Sequence, residues 1–238
     1  PFSFPVNESV SMSQRERPLS PFMLGSLYRW QITSVMSFLH RATGVALSVG
    51  AFLMAAWLIA VMRGPEAYAS FAACIGSLPG RLVLAAFVFA LAFHFFNGIR
   101  HLVWDAGVGF SIPGLYKGGY ILEAGCGTVL ARLSVGWLRF AAVALALLTP
   151  WLVWLVITLM PADYATVRAT LANPVHGVLM ISFLVALFWH LRMGLQVVID
   201  DYVHRHGLNV VVQLLVLFAC SLGVLASIVA VGRIVLSA

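Results

Sequence analysis

Residues 82–105 read LVLAAFVFALAFHFFNGIRHLVWD. From Leu82 to Phe96 the only polar side chain is His94, and the apolar run to Val103 meets the ~20 residues that cross a bilayer core. An imidazole placed in hydrocarbon is costly and is usually kept for a function. Gly98 follows His94 by four residues and Asp105 follows it by eleven; the same frame recurs at His190, Gly194 and Asp201.

Composition agrees with a chain built for lipid. Hydrophobic residues make up 62% of the 238 and charged residues 9%, far outside the balance of a soluble domain. The formal net charge of +6 reads as basic residues flanking a membrane. No basic cluster or stripe points to nucleic acid. Cys74, Cys126 and Cys220 are far apart and odd in number, which argues against a disulfide framework, a cysteine zinc site or an iron–sulfur cluster. The first thirty residues are polar and show no signal-peptide pattern.

Working outward from residue 94, five spans are expected, giving an all-α, polytopic membrane helical bundle. They run over about 32–62, 82–103, 134–160, 177–199 and 208–231, with Pro150 expected to kink the third. Residues 64–80 and 161–174 are read as loops, and the Gly/Pro-rich stretch from Gly107 to Gly127 as the main internal boundary. Arg15, Arg17, Arg29, Arg41, Arg100, Lys117, Arg132, Arg139 and Arg205 fall on one side; Arg63, Arg81, Arg168 and Arg233 fall on the other. That bias places the N-terminus inside and, after five crossings, the C-terminus outside. Arg192 lies within a span and has no evident acidic partner.

In this topology spans two and four run in the same direction. His94 and His190 then sit ~16 Å from the inner end, near mid-membrane and at one depth. Two imidazoles at matched depth can hold one haem iron from opposite faces, carrying electrons with no position left open for oxygen. Gly98 and Gly194, one turn below on the same face, would leave room for the macrocycle. The plainer alternative is a pair of hydrogen-bonding histidines with helix-packing glycines. At the inner edge Ser37, His40 and Arg41 open the first span, and Asp201 and Tyr202 close the fourth. A hydroxyl, a guanidinium and a phenol at one depth can hydrogen-bond the carbonyl oxygens of a quinone and assist its protonation. His40, Arg41 and Arg139 can also neutralise haem propionates. Here the alternative is that arginines and tyrosines at an interface act as ordinary snorkelling anchors.

Several stretches also resemble a known family. Arg17-Pro18-Leu19-Ser20-Pro21, Tyr28-Arg29-Trp30, the run from Ser37 to Gly44 and the run from His94 to His101 resemble the cytochrome b subunit of succinate dehydrogenase (complex II), over roughly residues 14–118. From about Arg139 onward the chain looks like that enzyme's small hydrophobic anchor subunit, through residues 162–166, 171–174, 188–190 and 201–203. The implied division is a cytochrome b-like half over 1–118 with two spans, a connector over 119–134 and an anchor-like half over 135–238 with three. The resemblance implies one haem b with His94 and His190 as axial ligands, and a ubiquinone pocket at Ser37, Arg41 and Tyr202 with Asp201 beside it. It places His40, Arg41 and Arg139 near the propionates. It further implies flavoprotein and iron–sulfur partner subunits, membrane lipid around the chain, and a bacterial inner (cytoplasmic) membrane. The chain would complete the quinone-reducing end without itself oxidising succinate. The two family subunits normally carry three spans each as separate chains; losing one span keeps the second half correctly oriented in a fusion. A second haem would need two more ligands; His40 and His101 are candidates, but by position they resemble the one-haem pattern. A fumarate reductase anchor and a haem-free scaffold or small transporter are the rival readings.

Overall fold

A backbone crossing hydrocarbon must satisfy its own hydrogen bonds, and the helix does so within one segment. The computed structural model describes residues 32–105 and 129–237, with side chains over 35–105 and 139–237. The described elements are α1 (Ile32–Arg63), α2 (Pro65–Gly76), α3 (Leu78–Asp105), α4 (Val129–Leu159), α5 (Tyr164–Ala172), α6 (Pro174–Tyr202) and α7 (His206–Leu236). Five of them contain stretches long and apolar enough to cross a membrane: Val35–Arg63, Leu78–Asp105, Arg139–Leu159, Pro174–Tyr202 and His206–Leu236. The protein is thus an all-α, multi-pass membrane chain. The Gly107–Gly127 boundary, most of the 119–134 connector and the 17–30 stretch lie outside the described residues.

Two expected loops are partly helical. After Gly64, whose φ of 119° reverses the chain, Pro65 starts α2 with its ring already at a helical φ and Glu66 in the first turn. Ser77 ends α2, and its hydroxyl accepts from Gly80 N at 3.2 Å, so Pro79 and Gly80 sit in the first turn of α3. Asp163 caps α5 by accepting from Thr166 N at 3.0 Å, and Asn173 caps α6 by accepting from Val175 N at 2.9 Å, with Pro174 at the first helical position. Capping residues and prolines that mark loops in sequence here open helices, the short α2 and α5 and the spans α3 and α6. α4 continues as helix through Pro150.

The core is a seam between α6 and α7, flanked by α1 and α4. α6 buries Gly177, Met180, Leu184, Phe188 and Leu191; α7 answers with Cys220, Gly223, Ser227, Ala230, Val231 and Ile234. Helices in lipid gain little from the hydrophobic effect, so small residues that allow close approach carry the packing. A Cβ at Gly223 would stand 2.5 Å from Cε1 of Phe188 and 3.1 Å from Cε1 of Phe52. α3 lies mainly against α1, and of its side chains only Ala90 and Asn97 are buried. Val88, Phe89 and Phe96 face outward, as a lipid-facing helix requires.

Contacts at the two ends set the relative directions. Arg41 pairs with Asp201, and Arg139 donates to Asp105 at 2.9 and 3.0 Å. At the opposite end Tyr164 donates to Val61 O at 3.2 Å, and Arg168 to Ser237 O at 3.0 Å. α1, α4 and α7 therefore run one way and α3 and α6 the other.

Two tests follow from this packing. Gly223→Ala should overpack the seam and cost about 1–3 kcal/mol, lowering the thermal midpoint in detergent. Gly232→Ala, where nothing lies within 4 Å of the new Cβ, should leave the midpoint unchanged. The hydroxyl and amide of Thr166 hold the Asp163 carboxyl below its usual range. Its cap is therefore fully formed above the ordinary aspartate pKa and is lost as pH falls through the lowered value. Protection of the Thr166 amide relative to its intrinsic exchange rate should fall over that acid window, and Asp163→Ala should remove that fall.

Candidate functional site between α1, α3 and α6

Because α3 and α6 are co-directional, residues at equal distance from their matching ends come to one level. His94 and His190 meet there with ring centroids 6.3 Å apart and planes at 83°. Two imidazoles bonded to one metal from opposite sides at ~2.0–2.1 Å would have centroids about 6 Å apart. Their separation is thus of the size that axial ligation of a single iron requires. Among the described residues no group of three or more His, Cys, Asp or Glu side chains converges on a metal position. An iron held here needs its equatorial ligands from a macrocycle, which is what haem supplies.

The second nitrogen of His94 is occupied. Nδ1 lies 3.1 Å from the carbonyl oxygen of His40 and 3.4 Å from Thr43 Oγ1. A proton on Nδ1 directed at that carbonyl leaves the lone pair on Nε2, the tautomer a metal ligand needs. The His40 ring stacks on His94 at 4.0 Å with planes 6° apart, and His101 joins it at 5.3 Å with a 42° tilt. Four histidines thus gather in one region. The two glycines below the imidazoles differ. A Cβ at Gly98 would meet Cε1 of His40 at 4.0 Å, so that space is shared with His40; at Gly194 nothing lies within 4 Å, so the space is open.

At the common edge of α1 and α6, Arg41 donates through Nη1 to Asp201 Oδ2. Both side chains are partly exposed, at 39% and 45%. The ion pair is reachable from solvent or headgroups and leaves other guanidinium donors available. Ser37, one turn before Arg41, is exposed, and Tyr202 beside Asp201 is 58% exposed. Arg139 stands at the same edge, and its guanidinium is turned onto Asp105 as a two-point pair. Arg100 donates to Met36 Sδ at 3.0 Å and lies 4.3 Å over the Trp104 ring. Arg192 lines a separate cavity of about 230 Å³ between α6 and α7, with Gln196 and Gln213 among otherwise apolar walls. Among the described residues it has no carboxylate at ion-pair distance.

The structure thus brings together His94 with His190 and Arg41 with Asp201, and sets His40 against His94. In the sequence Thr43 and Gly44 stand out only within the run from Ser37 to Gly44, and His101 only as a candidate second-haem ligand, not as neighbours of His94 and His40. Their signal was present, since Thr43 and Gly44 follow His40 within one helical turn and His101 stands seven residues after His94.

The chain matches the succinate dehydrogenase/fumarate reductase transmembrane subunit family over residues 13–131 and 136–226. It is 39% identical over 108 residues to the human mitochondrial succinate dehydrogenase cytochrome b560 subunit, covering 44% of this chain and 63% of that one. It is 40% identical over 118 residues to the succinate dehydrogenase cytochrome b556 subunit of Rickettsia felis, covering 50% and 90%. With the cytochrome b556 subunit of Paracoccus denitrificans identity is 36% over 126 residues, covering 53% and 95%. The chain therefore spans less than two thirds of the human relative but nearly all of the bacterial ones, and each alignment takes up about half of it. No solved structure matches. A helical bundle carrying paired histidines at one depth, matched over most of its length by one family, belongs to the succinate dehydrogenase/fumarate reductase transmembrane subunits.

Proposed function

We propose that this chain is the haem b-carrying membrane anchor of a succinate dehydrogenase in a bacterial inner membrane, with its N-terminus inside. It docks flavoprotein and iron–sulfur subunits at the Arg41–Asp201 edge and passes their electrons to ubiquinone. The observation that carries the reading is the approach of His94 and His190, 6.3 Å between centroids, on two co-directional spans. The cytochrome b names of the bacterial relatives support it. The division into a cytochrome b-like half over 1–118 and an anchor-like half over 135–238, joined by a connector, is part of the same proposal.

When bound, haem b supplies a one-electron store inside the bilayer. His94 and His190 would hold it, and His40 and Arg41, with Arg139 at the same edge and paired to Asp105, would lie nearest its acidic substituents. Reduction of a quinone to a quinol takes two electrons, delivered through the iron–sulfur partner, and two protons, drawn from the aqueous edge. Asp201 holds the Arg41 guanidinium, so its remaining N–H donors present a fixed positive site to one quinone carbonyl. The phenol of Tyr202 and the hydroxyl of Ser37 are donors at that depth and can pass protons to the quinone oxygens. A pre-set donor beside a developing oxyanion is worth more in a water-poor setting than in bulk water.

The family's description covers succinate dehydrogenase and fumarate reductase alike, and the redox potentials of the partners and quinone decide the direction. Arg41→Ala in the assembled complex should lower quinone turnover by roughly 10²-fold or more while the visible spectrum keeps its cytochrome b bands. Unchanged turnover would remove Arg41 from the quinone site. His190→Leu should lose haem, read as a fall in the haem-to-protein ratio; full retention would remove His190 as a ligand.

A further inference from the structure

Within the run Ser37-Phe38-Leu39-His40-Arg41-Ala42-Thr43-Gly44, the proposed haem and quinone sites give Thr43 and Gly44 no role. Both lie against His94. A Cβ on Gly44 would stand 3.0 Å from Cε1, 3.5 Å from Nδ1 and 4.0 Å from Nε2 of His94. The imidazole therefore occupies the space that any other side chain at position 44 would contest. The reason lies in helix geometry. Side chains lean toward the N-terminus over the preceding turn, so the residue at 44 normally covers the carbonyl at 40. With glycine there, the His40 carbonyl is open from the side and His94 Nδ1 reaches it at 3.1 Å.

Thr43 closes the other flank. Its hydroxyl donates to Leu39 O at 2.7 Å and His40 O at 3.0 Å, which fixes the rotamer of a stiff β-branched side chain. Its lone pairs are left toward His94 Nδ1 at 3.4 Å. Gly50, six residues on, provides a contrast: its added Cβ would touch Phe87 at 3.4 Å, an ordinary contact.

We propose that Gly44 is a positioning residue for His94: by leaving the His40 carbonyl uncovered it seats the imidazole, pins Nδ1–H and turns Nε2 toward the iron, with Thr43 as the second stop. This rests on the reading of His94 as a haem ligand. A hydrogen bond accepted from the far nitrogen makes an imidazole a stronger donor to its metal and so favours ferric over ferrous iron. Weakening that bond should raise the midpoint potential.

The experiment uses the whole complex, purified with haem. Wild type first gives the reduced-minus-oxidised spectrum and the haem-to-protein ratio; absence of haem there overturns the ligand reading itself. In Gly44→Ala the midpoint potential should rise and the ferric low-spin EPR signal should move, because the ring is pushed aside, while Gly50→Ala matches wild type. Loss of haem from Gly44→Ala with retention in Gly50→Ala supports the same conclusion. Thr43→Val should shift the EPR signal in a protein that still binds haem, and Thr43→Ser should restore it. Wild-type potential and EPR in Gly44→Ala, or equal shifts in both glycine variants, would overturn the proposal.

Discussion

Within a bilayer no water stands ready to pair with a buried donor or acceptor, so every polar group inside a span needs a partner supplied by protein. Several polar side chains follow that rule, whereas His40 Nδ1, Asn97 Nδ2, Trp151 Nε1 and His176 Nδ1 are buried without a hydrogen-bond partner among the described residues. Thr158 and Ser227 return their hydroxyl protons to carbonyls one turn back, at 2.9 and 2.7 Å. His94 finds its partner in the neighbouring helix, at the His40 carbonyl. Arg41 and Asp201 neutralise each other at the edge, where solvation by headgroups lowers the cost of exposure. An imidazole that donates through one nitrogen to a backbone carbonyl keeps its lone pair on the other, and the chemistry proposed for the site starts from that bond.

Packing explains how such a bond is held. The α6/α7 seam is closely packed because Gly177 and Gly223 let bulky neighbours approach the backbone; a Cβ at Gly177 would stand 2.7 Å from Val235 Cγ2. α3, by contrast, buries little and leans chiefly on α1. The helix bearing His94 is thus the most lightly packed of the described spans, and its histidine is anchored by α1 as much as by the bundle. A group bridging His94 to His190 would tie α3 to the closely packed seam through α6, coupling occupancy of the site to retention of that helix.

Much of this was legible before any coordinates. Composition and the apolar runs sufficed for five spans, because hydrocarbon thickness leaves little freedom in helix length. The short helices α2 and α5 were not legible there, since Gly64–Pro65 and Asp163 are turn signals and helix-start signals at once; the choice depends on the residues that follow and on what they pack against. Matched spacing put His94 and His190 at one depth, where their rings lie 6.3 Å apart, and the span ends put Arg41 and Asp201 at one edge, where they form an ion pair. Spacing was less informative for Gly98, whose space is shared with His40, and for Arg139, whose guanidinium is turned to Asp105.

By itself, the sequence determined the membrane class, the span count and the equal depth of two histidines, all properties of one helix at a time or of counting along the chain. Tertiary structure alone decided that Gly44 exposes a carbonyl, that His40 stacks on His94, and that Arg192 faces a cavity of its own. Each depends on the rotation of one helix about its axis relative to a neighbour. In a span that is apolar nearly all round, residue pattern barely constrains that rotation; only the fit of side chains against another helix selects it.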